Sequence, residues 1–424
     1  MIRFEKVIRE KLMKYIKILS CAALMTGASL GTAFAGCGID SGRISILAND
    51  FPALHAVVSK AEECAGGAVT FSKNHTAKHQ ELQGPALTAN PAEYTAKIVT
   101  NGSIVPLLTD GLLRPLDDLV AKHGQSLGKN QLITIDGKVM AVAFMANAQH
   151  LIVRQDILDK VGKTAPTTYE QVLETAEAIR AAGIMKYPFA MLTKSDWNLG
   201  EEVVNMYIGH GGEFFKSGTA EASVNNANGV ATLEMLKALM QYSNPDFLTY
   251  NTATVAPIWE AGELAMAEMW GSSVGGLIDD EGSTPAVVKN TVPVGAPTVA
   301  GGSRPASTLW WDGFSIAKNI SDEDAEATFI ALVNGVSSEM VKANNDAAVW
   351  LMDAYVPGKS AEGVSMVASA GAEPYPMLPY MGLLHGAFAA EVPDFLQGNE
   401  SAEQTLADIE AAYTTAAQEK GFLK

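Results

Sequence analysis

The sequence predicts an α/β fold in which strands and helices alternate on a largely parallel sheet. Three observations predict it. Short alternating or apolar runs at residues 43–47, 69–71 and 94–99 are separated by longer helix-like stretches, the spacing of βαβ units. Clusters of Asn, Asp, Gly and Ser follow the strands, as at Asn49-Asp50 and Thr100-Asn101-Gly102-Ser103. Finally, 48% of the 424 residues are hydrophobic and only 18% charged, which suits two or three packed domains and excludes a disordered chain.

The first segment is expected to be a signal peptide, residues 1–35. Lys14 and Lys17 precede an apolar run over 18–30 that closes on Ala33-Phe34-Ala35, the small-x-small pattern of a signal-peptidase site. At about 13 residues the run is too short to span a bilayer, which takes roughly 20. Met13 is an alternative start to Met1. Cleavage would remove six basic and two acidic residues, taking the net charge from −17 to −21. Cys37 and Cys64 would remain as an even pair in an oxidising compartment, and a disulfide between them would tie the new N-terminus to the first helix. The competing reading makes Cys37 a lipid-modified N-terminus, but Phe34 stands where such a signal usually has Leu.

The remaining elements follow in order. Residues 43–47 form a strand, Asn49-Asp50-Phe51 turns into a helix over 52–64, and 69–71 form a second strand. A third strand over 94–99 leads through Asn101 and Ser103 into a helix ending near Asp110. A hairpin-like turn at Asp136-Gly137 opens a strand over 139–144, then Asn147 and another strand over 151–153. Thr167 or Thr168 caps a helix running to about Ala182, and Ser321 caps another whose first turn, Asp322-Glu323-Asp324, suits the positive dipole end. Ligands of open α/β sheets bind beyond the carboxyl ends of strands, which makes Asn49, Asp50, Asn101 and Ser103 binding candidates. The same residue types are ordinary turn and cap formers, and that reading stays open for each.

From Gly137-Lys138 through the crossing at Asn147 to Pro166-Thr167-Thr168-Tyr169-Glu170, the chain resembles the extracellular solute-binding proteins of ABC importers, in the group of the maltose-binding protein. Ala143 departs from the family's proline, Arg154-Gln155 from its Tyr-Asn, and Tyr169 from its tryptophan. Further blocks keep the family's order: Gly211-Gly212-Glu213-Phe214, Ala265-Met266-Ala267-Glu268-Met269-Trp270, Ser315-Ile316-Ala317-Lys318-Asn319, residues 374–384 and residues 401–406. The resemblance implies a two-lobed type II periplasmic-binding-protein fold with a central ligand cleft. It implies hinge crossings near 142–147, 309–314 and 360–370, and lobes of 36–145 with 312–365 and of 146–311 with 366–424. It also implies a monomeric periplasmic carrier that closes on its ligand by hinge bending and delivers it to a membrane permease, without chemistry, cofactor or metal.

A carbohydrate ligand offers hydroxyls to Asn, Asp and Ser and C–H faces to aromatic rings. By the resemblance, Trp270 and Ser272 end a strand that contributes ligand contacts, Trp197 presents an aromatic from the second lobe, and His385 stands near a stacking position. Trp310 and Trp311 lie at the second crossing with Asn147 at the first. In an extended segment the two tryptophans face opposite ways, so one faces the cleft, and Asp312 beside them could accept hydroxyls. Trp259 and Trp350 read as packing residues.

Other classes fare worse. The acidic balance excludes nucleic acid and anionic membrane surfaces as partners. A polyamine is the main rival ligand. Gly271-Ser272-Ser273-Val274-Gly275 matches the nucleophile elbow of α/β-hydrolases, with His210-Gly211-Gly212 and His385 as partners. However, Gly275-Gly276 and Gly282 interrupt the helix that should follow, so a serine hydrolase using Ser273 is a distant alternative. His75 and His79 stand four apart, but no third His or Cys clusters with them for a metal.

Overall fold

In the computed structural model, residues 37–279 and 281–424 are described; the expected signal segment lies outside them. The strands in chain order are β1 (Ser41–Ala48), β2 (Ala68–His75), β3 (Ala96–Thr100), β4 (Leu132–Ile135), β5 (Lys138–Asn147), β6 (Gln149–Arg154), β7 (Phe189–Ala190), β8 (Met266–Trp270), β9 (Thr291–Pro293), β10 (Trp310–Ile316) and β11 (Val349–Trp350). They gather into two sheets. One runs β11-β5-β10-β3-β1-β2 with β4 paired to β5, and the other runs β7-β8-β6-β9.

The expectation of a largely parallel sheet is corrected. Among the described strands only β1–β2, β1–β3 and β7–β8 pair in parallel. β4 and β5 are joined by a two-residue turn in which Asp136 and Gly137 both take positive φ, 50° and 76°, so they must run antiparallel. β10 returns from the second sheet and inserts antiparallel between β3 and β5.

Each sheet anchors its own core, so the fold is two-lobed. In the first lobe Ile44, Ile46, Phe314 and Ile316 are buried against the helices Pro52–Glu62 and Asp322–Gly335. In the second, Leu151, Val153 and Met266 share a core with the helices Trp197–Gly209, Met381–Gln397 and Ala402–Glu419. The caps sit where the sequence puts them: Thr168 accepts from Gln171 N, and Ser321 from Asp324 N. Trp259 and Trp350 are buried packing residues, the latter on β11. Cys37 and Cys64 are bridged, with Cα atoms 5.1 Å apart, and this ties the chain ahead of β1 to the end of the helix Pro52–Glu62.

The chain passes between sheets at Asn147–Gln149, just ahead of Trp310, and between β11 and the helix Glu362–Ser369. That helix packs against β6. Trp310 and Trp311 pair with Asn147 and Ala146 of β5 in the first sheet. Among the described residues no helix is long and apolar enough to cross a membrane.

Candidate functional site

A cavity of about 230 Å³ lies between the lobes. Gln80, Gly102 and Ser103 line it from the first lobe, and Asp196, Trp197, Tyr375, Leu378, Met381 and His385 from the second, with Trp310 from the β10 crossing. The helix Trp197–Gly209 starts at this cavity because Asp196 caps it, accepting from Asn198 N at 3.0 Å. Burial raises the Asp196 carboxyl, but bonds from Lys194 and Asn198 outweigh it and hold the acid below its ordinary range. Lys194 Nζ stands 2.7 Å from Asp196 Oδ2, so this charge is already paired.

The aromatic rings form one cluster. Trp197 stacks on His385 (4.9 Å between centroids, 23°), meets Trp310 edge-on (5.4 Å, 75°) and lies near-parallel to Trp270 at 6.3 Å. Tyr375 packs on Trp310 at 4.4 Å. His385 is buried, with its Nε2 at 2.8 Å from the Trp197 carbonyl and its Nδ1 at 3.0 Å from Tyr375 Oη. A carbonyl only accepts, so Nε2 carries the proton and Nδ1 accepts from the tyrosine. Burial pushes His385 down to about 4, partly countered by the Trp197 carbonyl, which keeps the ring neutral at pH 7.

Of the sequence candidates, Ser103, Trp197, Trp310 and His385 line the cavity. Trp270 stands behind it, in the aromatic cluster. The remaining candidates are engaged elsewhere. Asn147 donates from Nδ2 to Ser272 Oγ at 3.0 Å and accepts from Ser272 N at 3.1 Å, so the two clasp the first crossing to the helix Gly271–Leu277. Asn101 donates to the Leu309 carbonyl at 3.1 Å, holding the second crossing. Asp50 accepts from His55 Nε2 at 2.7 Å, and the Asn49 carbonyl from His75 Nδ1 at 2.9 Å. Trp311 points to the opposite face of the sheet, against a cluster containing Leu87, Val99 and Ile104. Asp312 is buried, which raises its carboxyl to about 7 while the Lys97 ammonium pulls it back.

The alternative constellations do not assemble. Ser273 Oγ donates to the Trp270 carbonyl at 2.6 Å, and both ring nitrogens of His385 are taken. His79 accepts from Lys97 Nζ at 2.7 Å, whereas His75 faces Asn49, so the two histidines share no partner.

Sequence reasoning missed Gln80, Tyr375 and Glu201. Tyr375 sits in Pro374-Tyr375-Pro376, a run that two prolines make stiff and extended, and that was the available signal. Glu201 is four residues beyond Trp197 and so shares its helix face. Its Oε1 accepts from Trp310 Nε1 at 2.9 Å and Thr308 Oγ1 at 2.7 Å.

Fold similarity is high to the maltose-bound MalE3 of T. maritima, with a TM-score of 0.76 at 18% identity over 89% of this chain and 100% of that one. A ribitol complex of an ABC transporter solute binding protein from Agrobacterium radiobacter K84 gives 0.76 at 18% identity, over 89% and 99%. A D-mannitol-bound counterpart from Agrobacterium vitis S4 gives 0.74 at 16%, over 90% and 99%. In sequence, a probable ABC transporter-binding protein of Deinococcus radiodurans is 24% identical over 279 residues, 61% of this chain and 64% of that protein. The model of the bacterial extracellular solute-binding proteins matches residues 89–340, more than half of the 424. The chain belongs to that family.

Proposed function

We propose that the protein is the periplasmic substrate-binding component of an ABC importer. It binds a carbohydrate (sugar, oligosaccharide or sugar alcohol) in the interlobe cleft and delivers it to the permease. The carrying observation is the cavity wall itself: Trp197, Trp310 and Tyr375 supply flat apolar faces, while Gln80 and Asp196 supply polar groups for hydroxyls; the Ser103 hydroxyl at the wall is held by Thr100 N in the helix cap. The maltose, ribitol and D-mannitol bound to relatives of like fold support the same ligand class. A polyamine would need unpaired carboxylates, and the lining acid Asp196 is already paired with Lys194. The protein acts as a monomer without catalysis, and its lobes, joined near Asn147, Trp310 and Ser360, close on the solute by hinge bending.

The test is a thermal-shift screen of the purified chain against sugars, polyols and polyamines. A carbohydrate at about 100 times its dissociation constant should add about 2.7 kcal/mol of stability. A clear shift from a polyamine with none from any carbohydrate would overturn the ligand class. Hydrolysis of short acyl esters that vanished in Ser273→Ala would overturn the carrier reading.

A further inference from the structure

We propose that Glu201 is the positioning residue of the cleft, whose carboxyl clamps the Trp310 indole and so fixes the aromatic wall. The inference deepens, and rests on, the reading of this cleft as a solute site. Trp310 is rooted in β10 of the first sheet, yet its Nε1 reaches Glu201 Oε1 on a helix of the second lobe at 2.9 Å, and also Thr308 Oγ1 at 2.9 Å. The ring is wedged between Tyr375 and the first lobe, where a Cβ on Gly102 would lie 3.3 Å from it. Behind Glu201 a buried polar chain continues. Thr308 Oγ1 reaches Asn205 Oδ1 at 2.9 Å, Asn205 donates to Gln149 at 2.6 Å, and Gln149 to Glu202 at 3.0 Å.

The protonation state follows from what the two carboxyl oxygens meet. Oε1 accepts two hydrogen bonds, whereas Oε2 is buried without a hydrogen-bond partner among the described residues. Ionisation would therefore leave charge on a buried oxygen that no protein donor among the described residues meets. The titratable groups around it supply no cation. Glu202 lies on the same helix, Glu268 on β8, Tyr169 on the helix Tyr169–Ala181, Tyr375 over Trp310, and His385 on the helix Met381–Gln397 is neutral. Burial accordingly pushes Glu201 up to about 8, against the pull of its bonds from Thr308 and Trp310. At pH 7 the clamp is an acid; above pH 8 it becomes a buried anion.

The experiment reads the indole directly, without added solute, in 15N-tryptophan-labelled protein. Trp310→Phe identifies the Trp310 Nε1–H resonance. In the wild type this resonance should titrate with a midpoint near about pH 8 and exchange slowly with solvent. Glu201→Gln, whose amide oxygen can still accept, should hold the indole in place and abolish the titration. Glu201→Leu should release it to a fast-exchanging position; if that variant does not fold, the comparison of wild type with Gln decides alone. A resonance that ignores pH in the wild type, or a titration that survives in Glu201→Gln, overturns the proposal. Because no solute is present, failure of the carbohydrate screen leaves these outcomes readable.

Discussion

Trp197 and Trp311 make the sharpest contrast among single residues. Trp197 lines the cavity and stacks on His385, whereas Trp311 is packed on the far face of the first sheet. Trp197→Ala should weaken the best carbohydrate ligand about tenfold or more, roughly 1.4 kcal/mol, with a cooperative melt retained. Trp311→Ala should leave affinity unchanged and cost about 2–3 kcal/mol of stability. Calorimetric titration and thermal melts of both variants check the pair. That Trp310 and Trp311 face opposite ways was legible, because the strand period is two. Which one meets the cleft was not, because Glu201 and Tyr375, distant in sequence, decide it. Asn49 and Asp50 lie at a strand end as the positional rule requires, yet Asn49 Oδ1 accepts from Asp50 N and the Asp50 carboxylate from His55.

At the scale of elements, the helix Trp197–Gly209 carries more of the site than any strand. Asp196 starts it, Trp197 and Glu201 share one face, and Gly200 lets the helix Met381–Gln397 approach. A Cβ at Gly200 would lie 2.4 Å from His385 Cδ2 and 2.8 Å from its carbonyl oxygen, and backbone cannot step aside as a side chain can. Gly200→Ala should therefore cost about 1–3 kcal/mol through overpacking and displace His385 from Trp197, seen as a lowered melting temperature and weakened carbohydrate binding. Caps were readable in advance, since a Ser or Thr before a helical run states its own role. Strand direction was not. A strand's sense depends on whether the chain returns by a helix, a hairpin or the other lobe, and β10 takes the last route.

For the whole molecule, buried titratable groups set a pH profile. Glu201 and Glu268, raised by burial to about 8 and about 7, stabilise the folded state fully below their ordinary value of 4.5. That contribution is lost as pH rises through the folded values, by up to about 1.4 kcal/mol per pH unit for each group. His79, His150 and His385, lowered by burial to about 3, about 4 and about 4, act in the opposite sense, but only below their ordinary 6.5. The two sets oppose one another between pH 4.5 and 6.5, and above 6.5 the acids prevail. The melting temperature should therefore fall from about pH 6.5 to about pH 8, more gently once Lys97, lowered by burial to about 7, begins to offset the acids. Calorimetry across that range checks the sign, and Glu201→Gln should flatten the slope. The position of Trp310 carries a last consequence. One residue is at once a joint of the chain's crossing and a tile of the cavity wall, pinned across the lobes by Glu201. If the lobes close as proposed, retuning what this carrier accepts and retuning how far it shuts are a single design problem at that position.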